Sequence, residues 1–367
     1  MTQPLRIGII GVGQIGKAHL RRYASIPGVT IAAASDVNAE ELAKVAAEFN
    51  IEKTYADFRQ LLQQEDLVAV DVCLHNNLHA PVTIEALKAG KHVFCEKPIA
   101  GAYIDGKAMV DAATKTGRML SIQLNRLFNK ETKIAKRLID AGRLGKPYHA
   151  RSLGFRRRGR PYVDGYGTEN FVRKEISAGG ALIDMGIYHI SEMLYLLGDR
   201  EVTRISGKVY QETGMDEERR AKSGYNVEEL GMGFVRFADG ATLDIIESWA
   251  LHLDGLESSW IVGPEGGIRL NPLSYHTTLD DVEVNAQVEV TEIDRRRHLM
   301  HATETAYDSP QHHWAAALRG EVPLLPTAEI ALQTMLISEG IYLSDKLGRE
   351  VTLEETVKAS QSKSLKI

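Results

Sequence analysis

The chain has 367 residues, of which 44% are hydrophobic and 25% charged, and its net charge is −5. That make-up predicts a globular chain of about two domains and excludes disordered, collagen-like and coiled-coil classes. The mild negative charge provides no basic field for nucleic acid or an anionic membrane, and the two cysteines, Cys73 and Cys95, form neither a disulfide scaffold nor a metal-ligand spacing.

In chain order, the opening residues lead straight into an apolar strand without the apolar core and cleavage site of a signal peptide. Residues 5–10 read as that strand, 14–25 as a helix, 29–35 as a strand and 39–49 as an Ala- and Glu-rich helix. Residues 67–74 then read as strand, 80–89 as helix, 92–95 as strand, 104–116 as helix and 119–124 as strand. Short continuous apolar strands alternating with helices predict a parallel sheet covered on both faces.

After Asn125 the rhythm changes. A helix over 130–141 leads to the turn Gly145-Lys146-Pro147, and one long helix is expected over 178–197. That stretch carries Asp184, His189 and Glu192, so it is not a membrane span. Strand-like segments fall at 148–155, 202–211, 226–237, 241–250 and 258–262, with Asp239-Gly240 a hairpin signal between two of them. Helices over 312–318 and 328–347 follow, the second stopped by Gly348. The predicted architecture is an α/β Rossmann domain plus an α+β domain with a largely antiparallel open-faced sheet. The expected divisions are 1–125 for dinucleotide binding, 126–325 for substrate binding and oligomerisation, and 326–367 as a C-terminal helix and tail packing back on the body. A cytoplasmic location is expected.

Gly11-Val12-Gly13-Gln14-Ile15-Gly16 follows the first strand and opens the first helix. The first glycine permits the tight turn, the second admits a pyrophosphate to the backbone, and the third lets helix and strand pack closely. Gly11, Gly13, Gln14 and Ile15 are therefore candidate cofactor contacts. Asp36 ends the second strand about 20 residues on, where a carboxylate accepts the ribose hydroxyls of NAD and repels a 2′-phosphate. NAD is expected, with NADP disfavoured.

Two further stretches carry chemistry. Ala89-Gly90-Lys91-His92-Val93-Phe94-Cys95-Glu96-Lys97-Pro98 ends a parallel strand, the side on which such sheets bind ligands. Gly179-Gly180-Ala181-Leu182-Ile183-Asp184-Met185-Gly186-Ile187-Tyr188-His189 opens the predicted long helix. Alone, a Lys-Pro is usually a surface turn and a histidine on an apolar helix a core residue. In this order and behind the glycine motif, the two stretches resemble the glucose–fructose oxidoreductase/inositol dehydrogenase (Gfo/Idh/MocA-type) family of sugar and cyclitol dehydrogenases, over nearly the whole chain.

The resemblance implies that Lys97 and His189 face the reacting carbinol carbon beside the nicotinamide. The residue types suit that place. A neutral imidazole at His189 can take the hydroxyl proton, and the Lys97 ammonium can stabilise the developing alkoxide. Asp184 is assigned to substrate hydroxyls and to electrostatic support of the proton transfer, about 140° from His189 around a helix of 3.6 residues per turn. The resemblance also implies that Leu74, His75, Asn76, His79, Glu96 and Lys97 line the cofactor and that Asn125 borders nicotinamide or substrate. His75 stands where the family carries a proline, so the turn loses a fixed φ.

Arg156-Arg157-Arg158-Gly159-Arg160 is the most unusual local feature. It suits an oxyanion of the cofactor or of an acidic or phosphorylated substrate, or simply a solvated strand end. Arg158 and Tyr166 are the candidate substrate contacts there. His75 and His79 are four apart without a third ligand, so no metal site is expected, and His298, His301, His312 and His313 read as loop and helix start. The leading reading is NAD-dependent oxidation of a secondary hydroxyl of a sugar, sugar derivative or cyclitol, or reduction of the matching ketone. Beside it stand a glycoside-processing enzyme with retained NAD, an NADP-dependent reductase and a non-catalytic nucleotide-sensing regulator. The expected partner beyond the small-molecule substrate is a second copy, as homodimer or homotetramer, through the open sheet face. Residues 243–251 with Trp249 are expected at its rim.

Overall fold

Continuous aliphatic runs form the first sheet: β1 (Leu5–Ile10), β2 (Val29–Ser35), β3 (Lys53–Tyr55), β4 (Ala69–Val72), β5 (His92–Cys95) and β6 (Leu120–Ile122). In the computed structural model, which describes residues 4–367, they lie in the order β3-β2-β1-β4-β5-β6 with every neighbouring pair parallel. All four residues of β4 are buried, as a strand covered by helices on both faces requires. The order reverses between β1 and β4, which opens a crevice at the carboxyl ends of the strands.

The second sheet has nine strands: β7 (His149–Phe155), β8 (Val202–Tyr210), β9 (Leu230–Phe237), β10 (Thr242–Ser248), β11 (Trp260–Gly263), β12 (Gly266–Leu270), β13 (Leu273–Leu279), β14 (Val282–Gln287) and β15 (Val351–Thr352). Their order is β14-β13-β12-β11-β7-β10-β9-β8-β15, antiparallel except for the β7–β10 pair. The hairpin joining β9 and β10 turns at Gly240, with φ 89°. Alternation of buried and half-exposed residues along β7 sets one face against helix Gly186–Leu197, in line with the period of two.

Three expectations are corrected. The helix expected over 178–197 is broken: helix Ala181–Asp184 ends at Asp184, and helix Gly186–Leu197 starts after Met185. The segment 243–251 is no rim. Strand β10 is hydrogen-bonded on both sides, and Trp249 is fully buried. Strands β12 to β14 were not expected, because β14 alternates exposed and half-exposed residues and presents no apolar period to read.

Helix Thr327–Leu347 packs on β8 and on helix Gly186–Leu197. Its first residue is fixed to the first sheet, since the Thr327 hydroxyl accepts the Ile122 N–H at 2.9 Å. The tail returns to the part of the chain that carries the first sheet, where Lys363 N donates to Asp105 at 2.8 Å and Leu365 N to the Asn77 carbonyl at 3.0 Å. Among the described residues no helix is long and apolar enough to cross a membrane.

Candidate active site

The carboxyl ends of five parallel strands gather the predicted cofactor residues at one edge. After β1, Gly11 adopts φ 92°, and a Cβ there would strike the Cys73 carbonyl, so only glycine fits. Nothing lies within 4 Å of where a Gly13 Cβ would stand. Helix Gln14–Ala24 starts at Gly13 without a side-chain cap, so its first N–H groups and positive dipole end are free to meet an anion. Gly13, Gln14 and Ile15 are exposed at that mouth. Beyond β2, the Asp36 carboxylate accepts the Val12 N–H at 2.8 Å and the Asn38 N–H at 2.9 Å, which fixes it beside the glycine turn. These residues fit a dinucleotide, with the pyrophosphate at Gly13–Ile15.

Beyond β4, His75 holds φ −74°, inside the range a proline would impose, so the turn keeps its shape without one. The Asn76 amide donates to the Ser177 carbonyl at 3.0 Å and ties this turn to the approach to helix Ala181–Asp184. Leu74 is half-buried against the Gly11 loop. His79 does not reach the cofactor surface. It is fully buried with its ring nitrogens 2.8 Å from the Pro98 carbonyl and 3.0 Å from the Leu74 carbonyl, a brace between two strand ends. Beyond β6, Asn125 is exposed at the same edge, next to Arg126.

Lys97 and Asp184, 87 positions apart in sequence, form an ion pair at 3.1 Å. Burial works against the Lys97 ammonium, yet Asp184, Tyr188 and Glu96 hold its pKa well above the ordinary lysine value. Burial likewise opposes the Asp184 carboxylate, which Lys97, Arg156 and the Trp249 N–H keep below its usual range. Trp249 Nε1 donates to Asp184 at 3.3 Å. The Lys97 ammonium also lies 4.6 Å from the centroid of the Tyr188 ring. Both partners are thus held charged, and Tyr188 shares the ammonium with Asp184.

His189 stands on the other side of the break. Its Nδ1 is 2.8 Å from Glu247 on β10, and Glu247 takes the Ser152 hydroxyl from β7 at 2.9 Å. A carboxylate fixed on Nδ1 selects the tautomer with a free Nε2, as second partners of catalytic histidines do. Gly154 makes room for this pair, since a Cβ there would fall on the Glu247 carboxylate and within 2.7 Å of the His189 ring. His189 and Tyr188 line a cavity of about 460 Å³ together with Arg126, Arg156, Glu192 and residues 256–259.

The arginine run divides its labour. Arg160 is fully buried and structural, paired with Asp164 at 2.9 Å and Glu229 at 2.8 Å. Arg158 leaves the site: its side chain is 63% exposed and lies 3.6 Å from Asp164, because the chain turns after β7. Arg156 takes the place expected of Arg158 and enters the cavity wall. Tyr166 accepts a hydrogen bond from Arg156 and donates its own to the Gly159 carbonyl at 2.5 Å, and burial pushes its pKa up to about 12.

Tyr188, Glu247, Arg126 and Glu192 carried no assigned role in the sequence, and Trp249 was placed at the oligomer rim instead of beside Asp184. Glu247 left one trace, a carboxylate inside an apolar strand, which must find a partner when buried; nothing local in the chain says that the partner is His189. A second cluster also escaped notice: ligand-type atoms of His19, Asp71 and Cys73 lie within 4.8 Å of one another, buried. They are engaged with one another and with Glu96 by hydrogen bonds.

Comparison with known proteins bears on the family and the fold. A family model described as "Oxidoreductase family, NAD-binding Rossmann fold" matches residues 5–124, and a "GFO/IDH/MocA C-terminal domain" model matches residues 132–269. The chain is similar to D-glucoside 3-dehydrogenase of Escherichia coli, 28% identical over 81% of this chain and 86% of that protein. It is also similar to scyllo-inositol 2-dehydrogenase (NAD(+)) of Bacillus subtilis, 26% identical over 89% of this chain and 90% of that protein. Among solved structures, a probable dehydrogenase from Thermotoga maritima superposes with a TM-score of 0.73 at 26% identity, over 96% of this chain and 100% of that one.

Proposed function

The chain belongs to the GFO/IDH/MocA oxidoreductase family, and on that premise we propose that it is an NAD-dependent dehydrogenase oxidising a secondary hydroxyl of a sugar, sugar derivative or cyclitol. Relatives named for glucoside and inositol oxidation support the substrate class. The observation that carries the reading is the Lys97–Asp184 pair at 3.1 Å, held charged at the carboxyl end of β5 and opening toward the cavity through Tyr188. In this reading residues 1–125 hold the nucleotide, 126–325 the substrate, and 326–367 bind the two together.

The nicotinamide, when bound, supplies the two-electron acceptor. Asp36 selects NAD over NADP by taking the ribose hydroxyls where a 2′-phosphate would meet a carboxylate. The Lys97 ammonium holds the reacting hydroxyl and stabilises the negative charge that develops on its oxygen. Asp184 fixes that ammonium in place. The hydroxyl proton passes to one of two neighbouring side chains. Contact with the Lys97 ammonium favours Tyr188. His189, with Nδ1 fixed by Glu247, is the second candidate base and otherwise binds an adjacent hydroxyl.

The test is NAD reduction followed at 340 nm across free sugars, glycosides, sugar acids, sugar phosphates and inositols. Turnover with one class, abolished in Lys97→Ala, supports the reading. Tight NAD binding with no turnover on any class removes it in favour of a retained-cofactor enzyme or a sensor.

A further inference from the structure

Of the two arginines lining the cavity, Arg126 has a carboxylate partner and Arg156 has none among the described residues. Each of the cavity's carboxylates already has a partner. Glu192 takes the Arg126 guanidinium at 3.2 Å and the Thr132 hydroxyl. Behind the lining, Glu247 takes His189 and Ser152, and Asp184 takes Lys97 and Trp249. Glu257, also on the wall, leans 3.6 Å from Arg269, which is not part of the lining. Burial also pushes the Glu192 pKa up, against the opposing pull of Arg126 and Thr132.

Arg156 is the cation left over. Its Nη1 donates to the Gly159 carbonyl at 3.2 Å and to the Tyr166 hydroxyl, both neutral acceptors. The guanidinium rests 5.4 Å over the Tyr166 ring, which fixes its plane. Among the described residues its Nε and Nη2 donate to no protein atom, and that edge is the fork that grips a carboxylate with two parallel hydrogen bonds. Arg156 lines the same cavity as Tyr188 and His189 and is close enough to Asp184 to help hold that carboxylate ionised. An anion on Arg156 would therefore belong to the same small molecule whose hydroxyl meets Lys97.

We propose that the substrate is a sugar acid, whose carboxylate is held by the Nε/Nη2 edge of Arg156 while a ring or chain hydroxyl lies at Lys97. The inference rests on the dehydrogenase reading for the fate of the hydroxyl, but not for the anion site. One unpaired guanidinium matches the single charge of a carboxylate better than the double charge of a phosphate. A charge-assisted, two-pronged pair of this kind contributes more than a hydrogen bond from the same arginine to a neutral hydroxyl.

Two measurements separate the claims. The NAD-loaded protein is titrated calorimetrically with D-glucuronate, D-gluconate, D-glucose 6-phosphate and myo-inositol, and the same compounds are assayed as substrates at 340 nm. The sugar acids are expected to bind tightest. Arg156→Gln is expected to weaken their binding on the order of 100-fold, while shifting the inositol by a much smaller factor. Arg156→Lys, which keeps the charge but not the fork, should retain part of the preference, and its folding is checked by thermal melting. Acid binding lost in Arg156→Gln without turnover of any compound sustains the anion site and removes the dehydrogenase reading. Preference for the sugar phosphate, or an equal loss for acid and inositol in Arg156→Gln, overturns the proposal.

Discussion

Nε2 of His19 lies 2.9 Å from Oε1 of Glu96, whose second oxygen accepts the Lys97 backbone N–H at 2.8 Å. The helix that opens at the glycine turn is thereby connected through two side chains to the strand end that carries the candidate catalytic lysine. His19 Nδ1 is 2.8 Å from Asp71, so one buried imidazole is shared by two carboxylates. Only the doubly protonated ring can donate to both.

His19 is the first test of that arrangement. Cys73, 3.3 Å from Nδ1, and the Gln123 amide, 3.2 Å from Nε2, also face the ring. Burial opposes its charge, yet Asp71 and Cys73 lift its pKa well above the ordinary value. A raised folded-state pKa stabilises the protein fully below the unfolded value, about 6.5, and the gain is lost as pH rises through the folded value. His19→Asn is expected to cost about 3–5 kcal/mol below that range, with the difference from the wild type shrinking at alkaline pH. Melting curves across pH check this. A constant difference would show that charge is not what His19 contributes.

Glu247→Gln keeps the size of the side chain but replaces the carboxylate on His189 Nδ1. If His189 accepts or relays the proton, kcat should fall about 10- to 100-fold, with the pH profile displaced and KM for NAD unchanged. Gly154→Ala should mimic it, because its new Cβ meets the same two groups. Steady-state kinetics of both variants is the check.

Tyr188→Phe removes one oxygen beside the Lys97 ammonium. Loss of general acid–base catalysis typically costs 10²- to 10⁴-fold, and that loss is expected in kcat for Tyr188→Phe, with His189→Asn acting mainly on KM for the polyol. The reverse split would move the proton to His189.

Asp36→Ala removes the carboxylate between Val12 and Asn38. The ratio of kcat/KM for NAD over NADP should fall on the order of 100-fold, as the ribose hydroxyls lose an acceptor and the 2′-phosphate loses a repelling charge. Coenzyme kinetics with a single substrate measures it.

Several parts of this protein were legible in the chain by itself. The glycine cradle, Asp36 and the Glu96-Lys97 strand end are local patterns, in which the spacing of a few residues sets a strand, a turn and a helix start. The same locality made the alternation of strands and helices readable up to Asn125. Tertiary structure decided the rest. The break at Met185 turns Asp184 toward Lys97 and His189 toward β10, which no periodicity in 178–197 foretells. Glu247 meets His189 and Trp249 meets Asp184 across 58 and 65 positions of chain. Among five neighbouring residues, the chain turn after β7 left Arg156 in the cavity, buried Arg160 and sent Arg158 to solvent. Local spacing fixes backbone geometry, but the partner of a buried charge is chosen by whichever distant strand packs against it, and that choice exists only once the two sheets are folded together.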